Sequence, residues 1–270
     1  MEKIALPQKI SFLPGEKPNQ EYVVIEPCYP GFGITLGNSL RRVLLSSLPG
    51  AAVIGVKIEG ADHEFMTLPH IKEDVLEIIL NLKNLRLRVH SNEVIKLELD
   101  VHGEKTVTAK EFTPNAQVEI INSDLELAHI TDMAGNLKME LYLQNGRGYE
   151  TIESREKAIK HEIGYIETDS AYSPVLNVSV KVENVRVGKM TNWEKLVLEI
   201  ITDGSIKVKD AFTDSVNVLI SQFGSLIGNT TTAEVEDELV AEVEEAIILK
   251  EEDEEEEDDK KKRGRPKKSE

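Results

Sequence analysis

Arg41 and Arg42 stand side by side in the stretch GFGITLGNSLRRVLLSSLPG, and this pair of guanidinium forks is the most chemically capable feature of the 270-residue chain. Each fork can donate in bidentate fashion to a carboxylate or to backbone carbonyls, which is the chemistry of holding a partner. Bond-making chemistry needs other constellations, and the sequence offers none. The six histidines (63, 70, 90, 102, 129 and 161) never fall at a metal-ligand spacing, and Cys28 is the sole cysteine. There is no GxxxxGK[ST] or GxGxxG phosphate cradle: GFG at Gly31 reads as a turn before a helix, and GRG at Gly146 precedes no helical pattern. Cys28 reads as a small, semi-buried side chain with no activating neighbour in sequence. The expectation is a chain with no catalytic residues, no metal ligands and no bound cofactor.

The elements that must position the arginines follow from hydrophobic spacing. Leu36, Leu40, Val43, Leu44 and Ser47 recur at three and four, the helical period, and place Asn38, Arg41 and Arg42 off the stripe, with Leu45 beside them. Residues 8 to 13 and 20 to 26 read as two strands around a Pro-Gly turn, and Ala51 to Gly60 alternates as a strand. Glu73 and Asp74 sit near the start of a second helix, where carboxylates suit the positive end of the dipole. Val75, Ile78, Ile79 and Leu82 are its buried stripe. From Leu85 to Val118 the period is largely two, so residues 50 to about 173 read as β-rich. Val178, Val180 and Val182 alternate in a further strand. Lys195 to Thr202 is another, and Asp203-Gly204 turns into a final helix over Lys209 to Ile227. Phe212, Val216, Leu219, Phe223 and Leu226 form its stripe, widened by Val218 and Ile220 beyond what one small sheet would cover.

Bulk charge narrows the function classes. The chain carries 49 acidic and 32 basic residues, net −17. Residues 229–270 hold 17 acids and 8 bases, so −9 belongs to that stretch and −8 to the remainder. A body with no basic excess is unsuited to gripping a duplex. The lone cysteine fits a reducing compartment. MEKIALPQKISF lacks the pattern of a secretory signal, and no apolar run approaches the length of a membrane span. The expected location is the cytoplasm, with no membrane partner.

The arginine block resembles the N-terminal domain of the bacterial RNA polymerase alpha subunit, whose signature is GFG-x-TLGN-x-LRR followed by LLSS-x-PG. The resemblance continues in order through HEF (His63 to Phe65), KEDVLEIILNLKNLRLRV (Lys72 to Val89), GRGY (Gly146 to Tyr149), YSPV (Tyr172 to Val175), VENVRVG (Val182 to Gly188) and KLVLEIITDGSIKVKDA (Lys195 to Ala211). It departs at Ile34, where the family commonly has histidine. It departs again at Met190, Asn192 and Trp193, in a loop where the family usually carries a basic residue and an aspartate.

The resemblance implies an α+β fold with a discontinuous dimerisation domain (1–49 and 174–230) and an inserted β-rich domain (50–173); the composition of residues 231–270 reads as a disordered charged tail. It implies a non-catalytic homodimeric scaffold for assembly of the β and β′ subunits of a nucleotidyltransferase, with sigma and omega met indirectly in the holoenzyme and the nucleoid reached through the polymerase. Contacts to β would come from Arg41, Arg42 and Leu45, from the segment Asp62 to Asp74 with His63, Glu64, Glu73 and Asp74, and from Lys83. Contacts to β′ would come from Tyr172, Pro174, Arg186, Lys189 and Lys195. Leu36, Leu40 and Leu44 with Phe212, Val216, Leu219, Phe223 and Leu226 would form the interface between two copies.

Most alphas continue into a helical promoter-reading domain, and the 42 residues after Gly228 are too few for one. Those residues give a short amphipathic run from Ala233 to Lys250, nine consecutive acids from Glu251 to Asp259, and KKKRGRPKK. Arg263, Gly264, Arg265 and Pro266 resemble the AT-hook core, in which an arginine pair enters a narrow A·T minor groove. The competing reading is a solvated low-complexity tail whose lysines pair with the neighbouring acids. Two other functional classes compete with the scaffold. One is a free-standing dimeric DNA-binding protein using that basic end; the other is a small-molecule enzyme on a β-rich fold. The acidic body disfavours the first and the missing acid–base or metal constellation disfavours the second.

Overall fold

A computed structural model describes residues 4–91, 93–155 and 164–226. The chain divides into two units, residues 1–219 and 220–270, and the architecture below is that of the first, with residues 220–226 continuing its final helix into the second.

Its two ends share one sheet. Strands β1 (Lys9–Pro14), β2 (Gln20–Cys28), β13 (Val175–Val187) and β14 (Met190–Thr202) lie in the order β1-β2-β14-β13, all antiparallel. Helix α1 (Phe32–Ser46) and the final helix α3 (Val208–Leu226) supply the rest of this core. Alternation along β14 buries Leu196, Leu198 and Ile200 completely. They meet Val23 and Ile25 of β2, Leu40 and Leu44 of α1, and Val208, Ala211 and Phe212 of α3. Phe12 closes the cluster edge-on against Phe212, with ring centroids 5.9 Å apart.

A second and larger core is built from the sequence between these ends. Strand β3 (Pro49–Ile58) pairs with β9 (Asn136–Arg147) and β11 (Tyr165–Glu167), and β9 pairs with β5 (Ile95–His102), all antiparallel. The odd positions of β5 (Ile95, Leu97, Leu99 and Val101) face in and its even positions face water, the period-two signature of a half-buried strand. Helix α2 (Val75–Lys83) packs Val75, Ile78, Ile79 and Leu82 into this core. Two-stranded pairs complete the region: β4 (Leu87–Val89) with β7 (Val118–Ile120), and β6 (Lys105–Thr108) with β8 (Glu126–Ile130). A third pair joins β10 (Tyr149–Glu150) to β12 (Ser170–Ala171).

The mixed α+β class matches the sequence reading. One detail differs: residues 190 to 194, expected as a loop before the strand at Lys195, are the start of β14. The β13–β14 hairpin turns in two residues, Gly188 and Lys189, between the Val187–Met190 pair. Gly188 at φ 62 supplies the left-handed first position that so tight a turn asks for. A turn this short leaves the following residues free to pair at once.

Candidate assembly surfaces

Helix α1 is seated in part by residues that hydrophobic spacing does not reveal. Gly33, Gly37, Leu40 and Leu44 are its buried positions, spaced at four, three and four. A Cβ at Gly37 would stand 2.6 Å from Val180 Cγ1 and 2.9 Å from Leu196 Cδ1, so glycine lets the helix lie flush on β13 and β14. Leu36, read as part of the stripe, is half-buried beside it.

Seating that face aims the others. Ile34, Asn38 and Arg41 line an open cleft of about 580 Å³ against residues 177–180 and Val182 of β13. Arg42, one residue on and outside that lining, is exposed, with half-buried Leu45 three residues further along the helix. Both guanidinium groups are exposed, and neither pairs with a carboxylate among the described residues. Leu45 is fixed through its carbonyl, which accepts from Ser173 Oγ at 3.1 Å.

The segment from Asp62 to Asp74 presents a mixed surface. His63 is exposed, and its Nδ1 accepts from the Phe65 N–H at 3.2 Å. Glu64 is half-buried, whereas Phe65 is 75% exposed. Asp74 is the N-cap of α2, its side chain accepting from the Glu77 N–H at 2.7 Å. Glu73 corrects the expectation of a partner-facing acid. It is buried and receives both the His129 N–H and the His129 ring Nδ1 at 2.6 Å. Burial opposes its charge, but those hydrogen bonds outweigh burial and hold the carboxyl below its ordinary range. Lys83 is exposed in the last turn of α2, where a cation suits the helix dipole.

Among the residues expected toward β′, the structure separates two groups. Tyr172 is 3% exposed and Pro174 is buried, so both are interior. Tyr172 lies over Gly146, where a Cβ would fall 2.6 Å from its ring, and donates its hydroxyl proton to Glu150 at 3.0 Å. That packing is the reason for GRG: the glycine clears an aromatic ring. Arg155 joins the network through Glu150, Ser170 Oγ and the Ile54 carbonyl. Nearby, burial pushes the Tyr165 hydroxyl up to about 12. Arg186 and Lys189 are exposed on the hairpin, with Arg186 Nε donating to the Gly188 carbonyl at 2.9 Å, while Lys195 is half-buried.

The residues expected between copies also divide. Leu40 and Leu44 are 5% and 0% exposed against the chain's own sheet, which leaves them nothing to offer a second copy. Phe212 is likewise buried, with Val216 and Leu219 half-buried on the same core. Phe223 and Leu226, in the second unit, are 58% and 79% exposed. Cys28 is fully buried rather than semi-buried, and burial pushes its thiol up. The residues Arg263, Gly264, Arg265 and Pro266, and the run from Ala233 to Lys250, lie outside the described residues.

Among the described residues no group of three or more His, Cys, Asp or Glu could hold a metal ion, and no helix is long and apolar enough to cross a membrane. Residues 56–173 match the family model described as the RNA polymerase Rpb3/RpoA insert domain. The chain is 47% identical over 232 residues to the DNA-directed RNA polymerase subunit alpha of Carboxydothermus hydrogenoformans, covering 85% of this chain and 73% of that one. It is 50% identical over 222 residues to the subunit of the same name from Desulforamulus reducens, covering 82% and 70%. Against the Oceanobacillus iheyensis subunit the identity is 46% over 222 residues, with the same coverage. With an ordered series of shared motifs, a matching insert region and relatives alike over most of both chains, this protein belongs to the family of bacterial DNA-directed RNA polymerase alpha subunits.

Proposed function

We propose that the chain is a non-catalytic scaffold of DNA-directed RNA polymerase: two copies pair, and the pair gathers the β and β′ subunits into the working nucleotidyltransferase. It supplies no active site and binds no cofactor of its own. The observation that carries this reading is the exposed pair Arg41 and Arg42, free of carboxylate partners among the described residues, on a helix whose opposite face is locked to the sheet. A rigidly mounted, unpaired guanidinium is preorganised for a partner's carboxylates or carbonyls.

Docking of β involves Arg41, Arg42 and Leu45, with His63, Phe65 and Asp74 among the exposed residues of the Asp62 to Asp74 segment and Lys83 at its margin. Docking of β′ involves the hairpin residues Arg186 and Lys189, with Lys195 behind them. Pairing of two copies uses Val216, Leu219, Phe223 and Leu226 of α3 with Leu36 of α1. Residues 1–49 and 174–230 act together as the dimerisation domain and residues 50–173 as the insert. Two separate hydrophobic cores, one drawn from both ends of the described chain and one from the middle, support that division.

The test is Arg42→Ala in the full chain, co-expressed with β. The variant keeps its fold and its dimer mass and loses β, at a cost of about 2–5 kcal/mol for truncating an arginine buried at an interface. Capture of β at wild-type strength by a folded Arg42→Ala dimer overturns the assignment.

A further inference from the structure

Helix α1 begins without the usual starting devices. Its N-cap is Gly31 at φ 86, no side chain caps from that position, and the first turn holds no acid. The amides left free at a helix start need acceptors. Glu194 of β14 supplies them, accepting from the Gly31 N–H at Oε1 and from the Gly33 N–H at Oε2, both at 2.8 Å. The β14–β2 pairing shifts register between Glu194 and Leu196, an irregularity of the kind that re-aims a side chain. Gly33 belongs to the same arrangement: a Cβ there would stand 2.7 Å from Glu194 Oε2 and 3.1 Å from Val182 Cγ1. Tyr29 adjoins the bridge, edge-on to both Phe32 and Trp193 at centroid distances of 6.1 and 5.9 Å.

We propose that Glu194 is a positioning residue for partner capture. A carboxylate at this place does three things at once. It satisfies two amides, it sets a negative charge at the positive end of the α1 dipole, and it anchors the helix to the strand that follows the β13–β14 hairpin. The anchor fixes α1 along its axis. Arg42 lies nine residues beyond Gly33, about 14 Å along the helix, so its standing relative to the hairpin is set at Glu194. The residues read as facing β and those read as facing β′ are thereby held in one frame by a bridge internal to the chain. This inference rests on the reading of α1 as a docking helix.

The experiment uses the full chain with co-expressed β and two readouts: hydrogen exchange at the amides of residues 31–36, and the dissociation constant for β. Glu194→Ala speeds exchange in that first turn about tenfold and weakens β capture several-fold. Glu194→Gln, which keeps one acceptor oxygen and loses the other, falls between Ala and wild type on both. Gly33→Ala, which displaces the carboxylate without removing it, follows Glu194→Ala. Arg42→Ala loses β while exchange in the first turn stays at the wild-type rate. Unchanged exchange in Glu194→Ala overturns the bridge, and faster exchange with wild-type β affinity overturns the positioning role. If Glu194→Ala does not fold, the graded response of Glu194→Gln decides between the same outcomes. Wild-type capture by Arg42→Ala overturns the docking reading and the positioning role with it, and is told apart because it is read in a variant with Glu194 intact.

Discussion

Helices α1 and α2 are both short, both amphipathic and both buried on one side, yet they are held by different means. Helix α2 carries its own start signal, Asp74, whose side chain caps the Glu77 N–H, and it seats itself with large side chains at Val75, Ile78, Ile79 and Leu82. Helix α1 has no local cap, borrows Glu194 from the far end of the described chain, and seats itself partly with absence, through Gly33 and Gly37. A helix placed by its own neighbours in sequence can sit wherever its core takes it. A helix placed by a distant strand reports the position of that strand. That is the property wanted in an element with the role proposed for α1, presenting arginines at a fixed place relative to a hairpin more than a hundred residues later.

Substitutions in either helix test this difference. The largest effect is expected for matched deletions in the two cores, Leu44→Ala in α1 and Leu82→Ala in α2, both nearly inaccessible to solvent. Each costs about 3–5 kcal/mol of unfolding free energy in urea titrations. Gly37→Val comes next, destabilising by about 1–3 kcal/mol because Val180 and Leu196 must move. The same change at exposed Asn38 shifts the midpoint far less. Asp74→Ala removes the local cap of α2 and costs about 1 kcal/mol, with faster amide exchange confined to the start of that helix.

The smallest effect concerns Glu73. Its carboxyl ionises below the ordinary range in the folded chain, so it stabilises the fold at neutral pH. That contribution is lost as pH falls through the ordinary carboxylate range to the lower folded value. Glu73→Gln lowers stability at neutral pH and flattens the acid limb of a stability profile; a variant with an unchanged acid limb contradicts the pairing with His129.

What the sequence made legible follows the same line between local and distant causes. The α2 stripe, the alternation of β5 and the turn before α1 could be read from neighbouring residues, and the structure has them there. The ordered motif series identified the family, as the relatives bear out. Illegible were contacts made across the fold. Gly33 and Gly37 carry no hydrophobic signal, yet they continue the Leu40 and Leu44 spacing toward the N-terminus, and that continuation was the available clue. The burial of Tyr172 and Pro174, the glycine clearance behind GRG and the pairing of Glu73 with His129 join residues far apart in sequence. Nothing in one chain's local pattern announces such partners. The expectations of a partner contact at Glu73 and of a second copy at Leu40 and Leu44 came from the family resemblance, and local pattern could not correct them: periodicity shows which face is buried and not what buries it.

The most direct test of the scaffold reading is the mass, by light scattering, of the particles formed when the full chain is co-expressed with β and β′ from the same source. A scaffold gives a dimer alone, a dimer with one β when β is added, and a single core of two copies with β and β′ when both are present. A chain that remains a monomer, or a dimer that takes up neither subunit, contradicts it.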